Sequence, residues 1–265
     1  MNAPLSSAVT LTGATLVAPV LAVRGLSKAY DGRPILRGLT FDVAPGQSTA
    51  LIGANGSGKS TLLKCLLRLV EPDAGQMTVL GQDLRGLSAR DLRRFRSQVG
   101  MVWQRHNLVP RLSALTNVVH GVQSRLSGPR GWFQALAPHP VRDEAMYCLD
   151  RVGLADRALT RIDSLSGGQQ QRVAIARMLM QRPQLILADE PDASLDPQSG
   201  EDVMRLLLAL VRQDGLSLLM ISHRLEHTLA FSDRILGLAQ GGITLDISTA
   251  RADAAQLRHF FDRAE

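Results

Sequence analysis

Cysteine is almost missing from this 265-residue chain: only Cys65 and Cys148 are present. Each stands in an apolar, helix-like stretch, so both read as small buried hydrophobes of a reducing compartment, and a disulfide framework is excluded as the source of stability. Aromatic residues make up 4% of the chain, which leaves aliphatic side chains to build the core. Nowhere is there the uninterrupted run of roughly eighteen apolar residues that a membrane-spanning helix requires. No charged side chain precedes Arg24. A secretory signal needs a basic segment ahead of its apolar stretch, and Pro19 with scattered Ser and Thr breaks up the apolar start, so residues 1–19 read as a flexible extension leading into a strand. Internal repeats and low-complexity tracts are also missing, which excludes solenoids and a duplicated unit within the chain.

What is present points to one sizeable core. With 45% hydrophobic residues, the stretch 20–265 reads as one large domain carrying an inserted subdomain. The net charge of +6 favours acidic partners, whether nucleotides, nucleic acid or anionic membrane surfaces. Short apolar runs at 20–23, 39–43 and 48–52, separated by Gly and Pro turns at 31–34 and 45–46, predict strands. Leu62, Leu63, Leu66 and Leu67 recur at helical spacing and predict a helix over 59–69. Further apolar strands at 185–188 and 217–221 flank a predicted helix near 200–213, a pattern that indicates a parallel sheet covered on both faces. Between these lies a mostly helical stretch, roughly 104–181, with a Pro- and Gly-rich insertion at 127–140. Trp132, Phe133 and Leu136 share one face of the segment 131–137, which reads either as a short helix packed on its own subdomain or as an exposed docking element.

The chemistry begins at Gly53, Ala54, Asn55, Gly56, Ser57, Gly58, Lys59 and Ser60, which fit GxxxxGKS between a predicted strand and a predicted helix. Glycines let backbone N–H groups turn inward around phosphates, and the positive end of the next helix points at the same anion. Lys59 then reaches the terminal phosphates and the Ser60 hydroxyl ligates Mg²⁺. A carboxylate for the metal is expected at the end of a buried strand on the same sheet edge, and Asp189 follows the apolar run 185–188. Glu190 beside it is suited to polarise an attacking water.

The segment Leu165-Ser166-Gly167-Gly168-Gln169 ahead of a helix spells LSGGQ, and with it the chain resembles the ATP-binding-cassette family. The resemblance implies an α/β fold: a P-loop NTPase with a RecA-like parallel core, an antiparallel β subdomain and an inserted helical subdomain. It also implies ATP and Mg²⁺ as ligands, ATP hydrolysis, and a head-to-tail homodimer in which Ser166, Gly167, Gly168 and Gln169 of one copy close on the nucleotide of the other. Tyr30 matches the aromatic that stacks on adenine, with Thr61 completing the nucleotide contacts. Gln104 matches the glutamine that approaches metal and water. Asp196 in Ser194-Leu195-Asp196 matches the interface loop, and His223 the histidine that contacts the γ-phosphate. The other five histidines, His227 among them, read as structural or solvated.

A narrower resemblance, carried by QRHNLVPRLSALTNVVHG at 104–121, by Gly131-Trp132 and by the run 185–197, is to ATP-binding subunits of phosphonate importers. It implies integral membrane permease subunits, an indirect periplasmic or extracellular substrate-binding protein, and a peripheral place on the cytoplasmic face of the cell membrane. Asp192 departs from those subunits, which commonly carry a small or apolar residue there; the carboxylate either weakens dimer closure through repulsion near Glu190 or points to solvent. The arginines at 85, 90, 93, 94, 96 and 105 read as a solvated helix face rather than a nucleic-acid surface. A cassette ATPase serving a soluble complex, such as one that breaks carbon–phosphorus bonds, is the alternative to the transporter reading.

Overall fold

The computed structural model describes residues 18–126, 128–253, 255, 257 and 258. Nearly all of the N-terminal extension expected at 1–19 lies outside the described residues, as does Ser127 of the insertion.

The chain opens with two long strands, β1 (Leu21–Tyr30) and β2 (Arg33–Val43), which pair antiparallel from Leu21↔Val43 to Tyr30↔Arg33. Asp31 and Gly32 make the turn, both at positive φ. Pro34, which the sequence places in the turn, is already in β2. That strand is at the edge of its sheet, where a missing N–H is tolerated. Then follow β3 (Ser48–Ile52), α1 (Lys59–Leu66), β4 (Ala74–Val79), β5 (Gln82–Asp83), α2 (Ala89–Arg96) and β6 (Val99–Val102). The helices α3 (Ala114–Val119), α4 (His139–Arg151) and α5 (Gly167–Leu179) come next and pack on one another. The chain returns through β7 (Leu185–Asp189), α6 (Pro197–Gln213), β8 (Ser217–Ile221), α7 (Leu225–Phe231), β9 (Arg234–Ala239) and β10 (Gly242–Ser248).

Among the described residues these strands form an antiparallel sheet in the order β2-β1-β4-β5 and a larger one in the order β10-β9-β3-β8-β7-β6. All pairings within the larger sheet are parallel except that of β10 with β9. Every residue of β3, β7 and β8 is buried, which is why these strands read as continuous apolar runs. Alternation along them divides the core. Ile186, Ala188 and Met220 join the apolar cluster of α3, α4 and α5, whereas Leu187, Leu219 and Ile221 join the cluster of α1 and the antiparallel sheet. The parallel core, antiparallel subdomain and inserted helices expected above are therefore all present, sharing one body.

Two local expectations change. The helix predicted over 59–69 stops at Leu66, because Arg68 takes a left-handed φ of 50° and turns the chain away. The segment around Trp132 forms no helix of its own. Only a 3₁₀ turn at Pro129–Gly131 precedes it, held by His120 Nε2 at 2.8 Å from the Trp132 carbonyl oxygen. Trp132, Phe133 and Leu136 are each about half exposed.

Both cysteines are buried, and burial pushes their thiols up to about 11. In the arginine-rich stretch Arg85 pairs with Asp83, and Arg96 donates to the carbonyls of Leu67 and Arg68. Phe95 meanwhile seats α2 in the core.

The register sets up the site. Leu51 pairs with Ile221, and Ile221 with Asp189, so the loops leaving β3, β8 and β7 depart from one carboxyl edge of the sheet. β6 delivers Gln104 to the same edge, since Val102 pairs with Ala188.

Candidate nucleotide site

Gly53 leaves β3 with φ 152°, and a Cβ there would lie 2.3 Å from the Leu238 carbonyl oxygen. Gly58, the N-cap of α1, has φ 106°, and a Cβ there would meet a Leu36 methyl at 2.8 Å. Neither position admits a side chain, so the loop is wedged against β9 and β2. Lys59 is buried, and its Nζ donates to the carbonyls of Gly53 at 2.7 Å and Ala54 at 2.8 Å. Burial lowers the Lys59 pKa, and the carboxylates of Glu190 and Asp189 oppose that shift. The loop therefore encloses an ammonium at the mouth of a helix whose first N–H groups face outward, the composition of an anion cradle. Ser57 Oγ is buried in the same loop with no hydrogen-bond partner, a further polar atom available to a ligand.

Gly53→Ala is expected to destabilise the fold by about 1–3 kcal/mol in thermal unfolding, since the strain falls on backbone. ATP affinity in the same protein should fall by about tenfold or more. Unchanged binding in a calorimetric titration would show that the loop's path is unimportant to the ligand.

Opposite the loop, Asp189 Oδ1 accepts a hydrogen bond from Ser60 Oγ at 3.2 Å. Burial raises the Asp189 pKa, with the Ser60 hydrogen bond working against it and the charge of Glu190 adding to it. Among the described residues there is no cluster of three His, Cys, Asp or Glu side chains to hold a metal. A hydroxyl and a carboxylate side by side nevertheless suit Mg²⁺, which takes few protein oxygens and fills its remaining positions from phosphate and water. Glu190 follows at φ 47°, and its Oε1 stands 2.6 Å from His223 Nε2. The two side chains come from the ends of adjacent strands, β7 and β8, and face each other.

Beside these groups lies a cavity of about 220 Å³. Tyr30 and Ile35 line it together with Asn55, Gly56 and Gly58 of the loop and with Lys59, Ser60, Thr61 and Glu190. Tyr30 is 43% exposed, and Lys28 Nζ sits 5.4 Å from its ring centre, so an aromatic face is presented at the rim. Ile35 was not legible as a site residue: an isoleucine in an apolar strand reads as core.

The remaining sequence candidates lie elsewhere. Gln104 is exposed beyond β6 and lines no part of this cavity. Ser166 is the N-cap of α5: its hydroxyl accepts from Gln169 N at 3.3 Å and its own N–H donates to Gln169 Oε1 at 3.0 Å. Gly167 packs by Leu195 and Gly168 by Ser199, so the LSGGQ loop rests on the segment that begins α6. Asp196 caps that helix through Ser199 N at 3.0 Å, which holds its carboxyl below the usual range. Ser166, Gly167, Gly168, Gln169 and Asp196 do not line the cavity beside Lys59. Within one chain the LSGGQ segment is thus separate from the cavity beside Lys59.

Asp192 is 6% exposed, so it does not point to solvent, and it stands beside His227 and the Arg224 guanidinium. His227 Nδ1 lies 2.9 Å and Arg224 Nη1 3.8 Å from its Oδ2. His227, read from the sequence as unremarkable, is part of the same buried group.

The chain matches the family profile described as ABC transporter over residues 36–193. A protein of Synechococcus sp. (strain JA-2-3B'a(2-13)) named Phosphonates import ATP-binding protein PhnC 2 is 45% identical over 228 residues, covering 86% of this chain and 84% of its own. A protein of Nitratidesulfovibrio vulgaris (strain Hildenborough) named Phosphonates import ATP-binding protein PhnC is 43% identical over 227 residues, covering 85% of each. Among solved structures, the dimeric post-hydrolysis state of the ATP-binding cassette MJ0796 bound to ADP and Pi aligns with a TM-score of 0.76. It is 31% identical, over 88% of this chain and all of the other. The profile match spans more than half of the chain and these relatives cover most of it, and the chain belongs to the ABC transporter family.

Proposed function

We propose that this chain is the ATP-hydrolysing subunit of an importer for phosphonates or a related phosphorus oxyanion, working as a head-to-tail pair. The observation that supports the paired reading most directly is the separation of the two half-sites. Lys59, Ser60 and Glu190 gather around one cavity, while Ser166 and Gly168 stand at the capped N-terminus of α5 outside it. A second copy brings the missing half to each cavity, so two nucleotides are held between two chains.

In this arrangement Tyr30 and Ile35 receive the base. The loop amides and Lys59 hold the phosphates and draw charge off the β–γ bridge. Mg²⁺ at Ser60 and Asp189 would neutralise the phosphate oxygens. Glu190 accepts a proton from, or aligns, the attacking water, and His223 orients Glu190 through their 2.6 Å contact while facing the γ-phosphate. Gln104, two residues beyond the strand neighbouring β7, links that edge to the helical subdomain. Asp196 at the head of α6 lies on the segment that supports the LSGGQ loop.

The cargo assignment comes from relatives whose names carry phosphonate import, with 84% to 86% of each chain covered. Among the described residues no helix is long and apolar enough to cross a membrane, so transport needs separate permease subunits, with this chain peripheral to them on the cytoplasmic face. An external substrate-binding protein delivers cargo to those subunits, and no step calls for nucleic acid. A strain lacking this chain is expected to lose growth on at least one phosphonate as sole phosphorus source while growing normally on phosphate. Undiminished growth on a broad panel of phosphonates would remove the cargo assignment and leave the ATPase reading standing.

A further inference from the structure

The hydrolytic pair uses Glu190 and His223, yet the two segments that carry it also hold a second group that the reaction does not consume. Asp192 and His227 are 6% and 7% exposed. A carboxylate is seldom so deeply buried unless other groups hold it there. His227 Nδ1 stands within ion-pair reach of Asp192 Oδ2 at 2.9 Å, although out of line for a hydrogen bond, and Arg224 Nη1 follows at 3.8 Å. The His227 ring meets Phe231 edge-on, with centroids 5.3 Å apart. On the other side Gly200 of α6 makes room: a Cβ there would stand 3.3 Å from Asp192 Cβ and 3.4 Å from Arg224 Nη1.

Two of its members lie within one or two residues of the hydrolytic pair along the chain. Arg224 immediately follows His223, and its backbone is pinned on both sides. Its N–H donates to Ser222 Oγ at 3.2 Å, and its carbonyl accepts from Ser222 Oγ and from Thr228 Oγ1. Asp192 sits in the turn that starts at Glu190, where Ala193 N donates to Glu190 O at 3.2 Å and Leu195 N to Asp192 O at 3.1 Å. Leu195 and Ser199 in turn support Gly167 and Gly168.

We propose that Asp192, with His227 and Arg224, is a positioning cluster that holds the Glu190–His223 contact in register and couples it to the chain's own LSGGQ loop, which serves the opposite site of the dimer. The cluster joins the turn after β7 to the segment carrying His223. Without it the two side chains still exist but no longer share one frame, and a misplacement near 1 Å is enough to cost on the order of a hundredfold in rate. The inference rests on the roles given above to Glu190 and His223.

The test uses the purified full-length chain, at concentrations where the rate per chain no longer changes, with steady-state ATPase kinetics, ADP titration calorimetry and thermal melts. Asp192→Asn and His227→Ala are each expected to lower kcat by about ten- to a hundredfold. KM for ATP and ADP affinity should stay within about twofold, the pattern of a step lost after binding. The double variant should be no slower than the worse single variant, because both remove the same hold. His227→Asn, which keeps a nitrogen near the place of Nδ1, should regain part of the rate. Singles with kcat within about twofold of the parent, or losses that multiply in the double variant, overturn the cluster. If Asp192→Asn loses its cooperative melt, the two His227 variants decide: Asn faster than Ala supports the proposal, and equal rates sink it. A Glu190→Gln control separates the two layers. Normal turnover in the control removes the site reading itself, whereas an inert control beside normal Asp192 and His227 variants removes only the cluster.

Discussion

Glu190→Gln is expected to bind ATP and then stall, with turnover reduced by roughly 10²–10⁴-fold and the protein collecting as an ATP-held dimer. The carboxylate is 20% exposed at the cavity, held at φ 47° and braced by His223 Nε2 at 2.6 Å. Gln has the same shape and keeps one carbonyl oxygen for that contact, but it cannot take a proton from water. It also removes a negative charge from beside Lys59 and Asp189, whose pKa values both respond to Glu190. Phosphate binding should therefore be undiminished or stronger while the chemical step fails. Size-exclusion chromatography with ATP should show a dimer that ADP does not support, and single-turnover assays should show bound nucleotide persisting as ATP. Ordinary multiple turnover in this variant would refute the role of Glu190.

The parts of this site that the sequence made legible are the parts whose logic is local. Lys59 and Ser60 follow an apolar strand and a glycine pattern suited to a phosphate-binding turn, and Asp189 closes a wholly buried strand. The rest depends on contacts across the sheet. Asp192 and His227 meet because β7 and β8 run parallel in a register that sets Asp189 opposite Ile221. No spacing along the chain encodes that, and the carboxylate looked like an intruder beside Glu190. Ile35 enters the cavity only because β2 runs past the loop, where Gly58 leaves no gap between them. Pro34 signalled a turn because its place on an edge strand is a property of the sheet. The apolar face around Trp132 suggested a helix, but a segment so short, bounded by Pro129 and Pro138, has too few residues to recover the cost of helix nucleation.

Ser166→Arg should abolish steady-state hydrolysis while leaving ATP binding to the monomer within about twofold, since uniform binding at the first half-site is untouched. Ser166 is exposed at the N-terminus of α5 and lines no part of its own chain's cavity. Its local work is to cap the helix together with Gln169, and losing such a cap costs about 0.5–2 kcal/mol, too little to unfold the domain. What Arg changes is the surface offered to a partner. A long side chain at the mouth of the helix fills the space where the other chain's nucleotide must seat, so the half-sites cannot close. Mixing gives the sharper readout. A Lys59→Ala chain has a defective phosphate loop but an intact LSGGQ, and a Ser166→Arg chain has the reverse. Each alone should be inactive. A heterodimer of the two, however, contains one composite site with both intact halves, and ATPase activity should reappear on mixing. Full hydrolysis by the Ser166→Arg chain alone, at concentrations that keep it monomeric, would place the whole active site within a single copy and end the shared-site account.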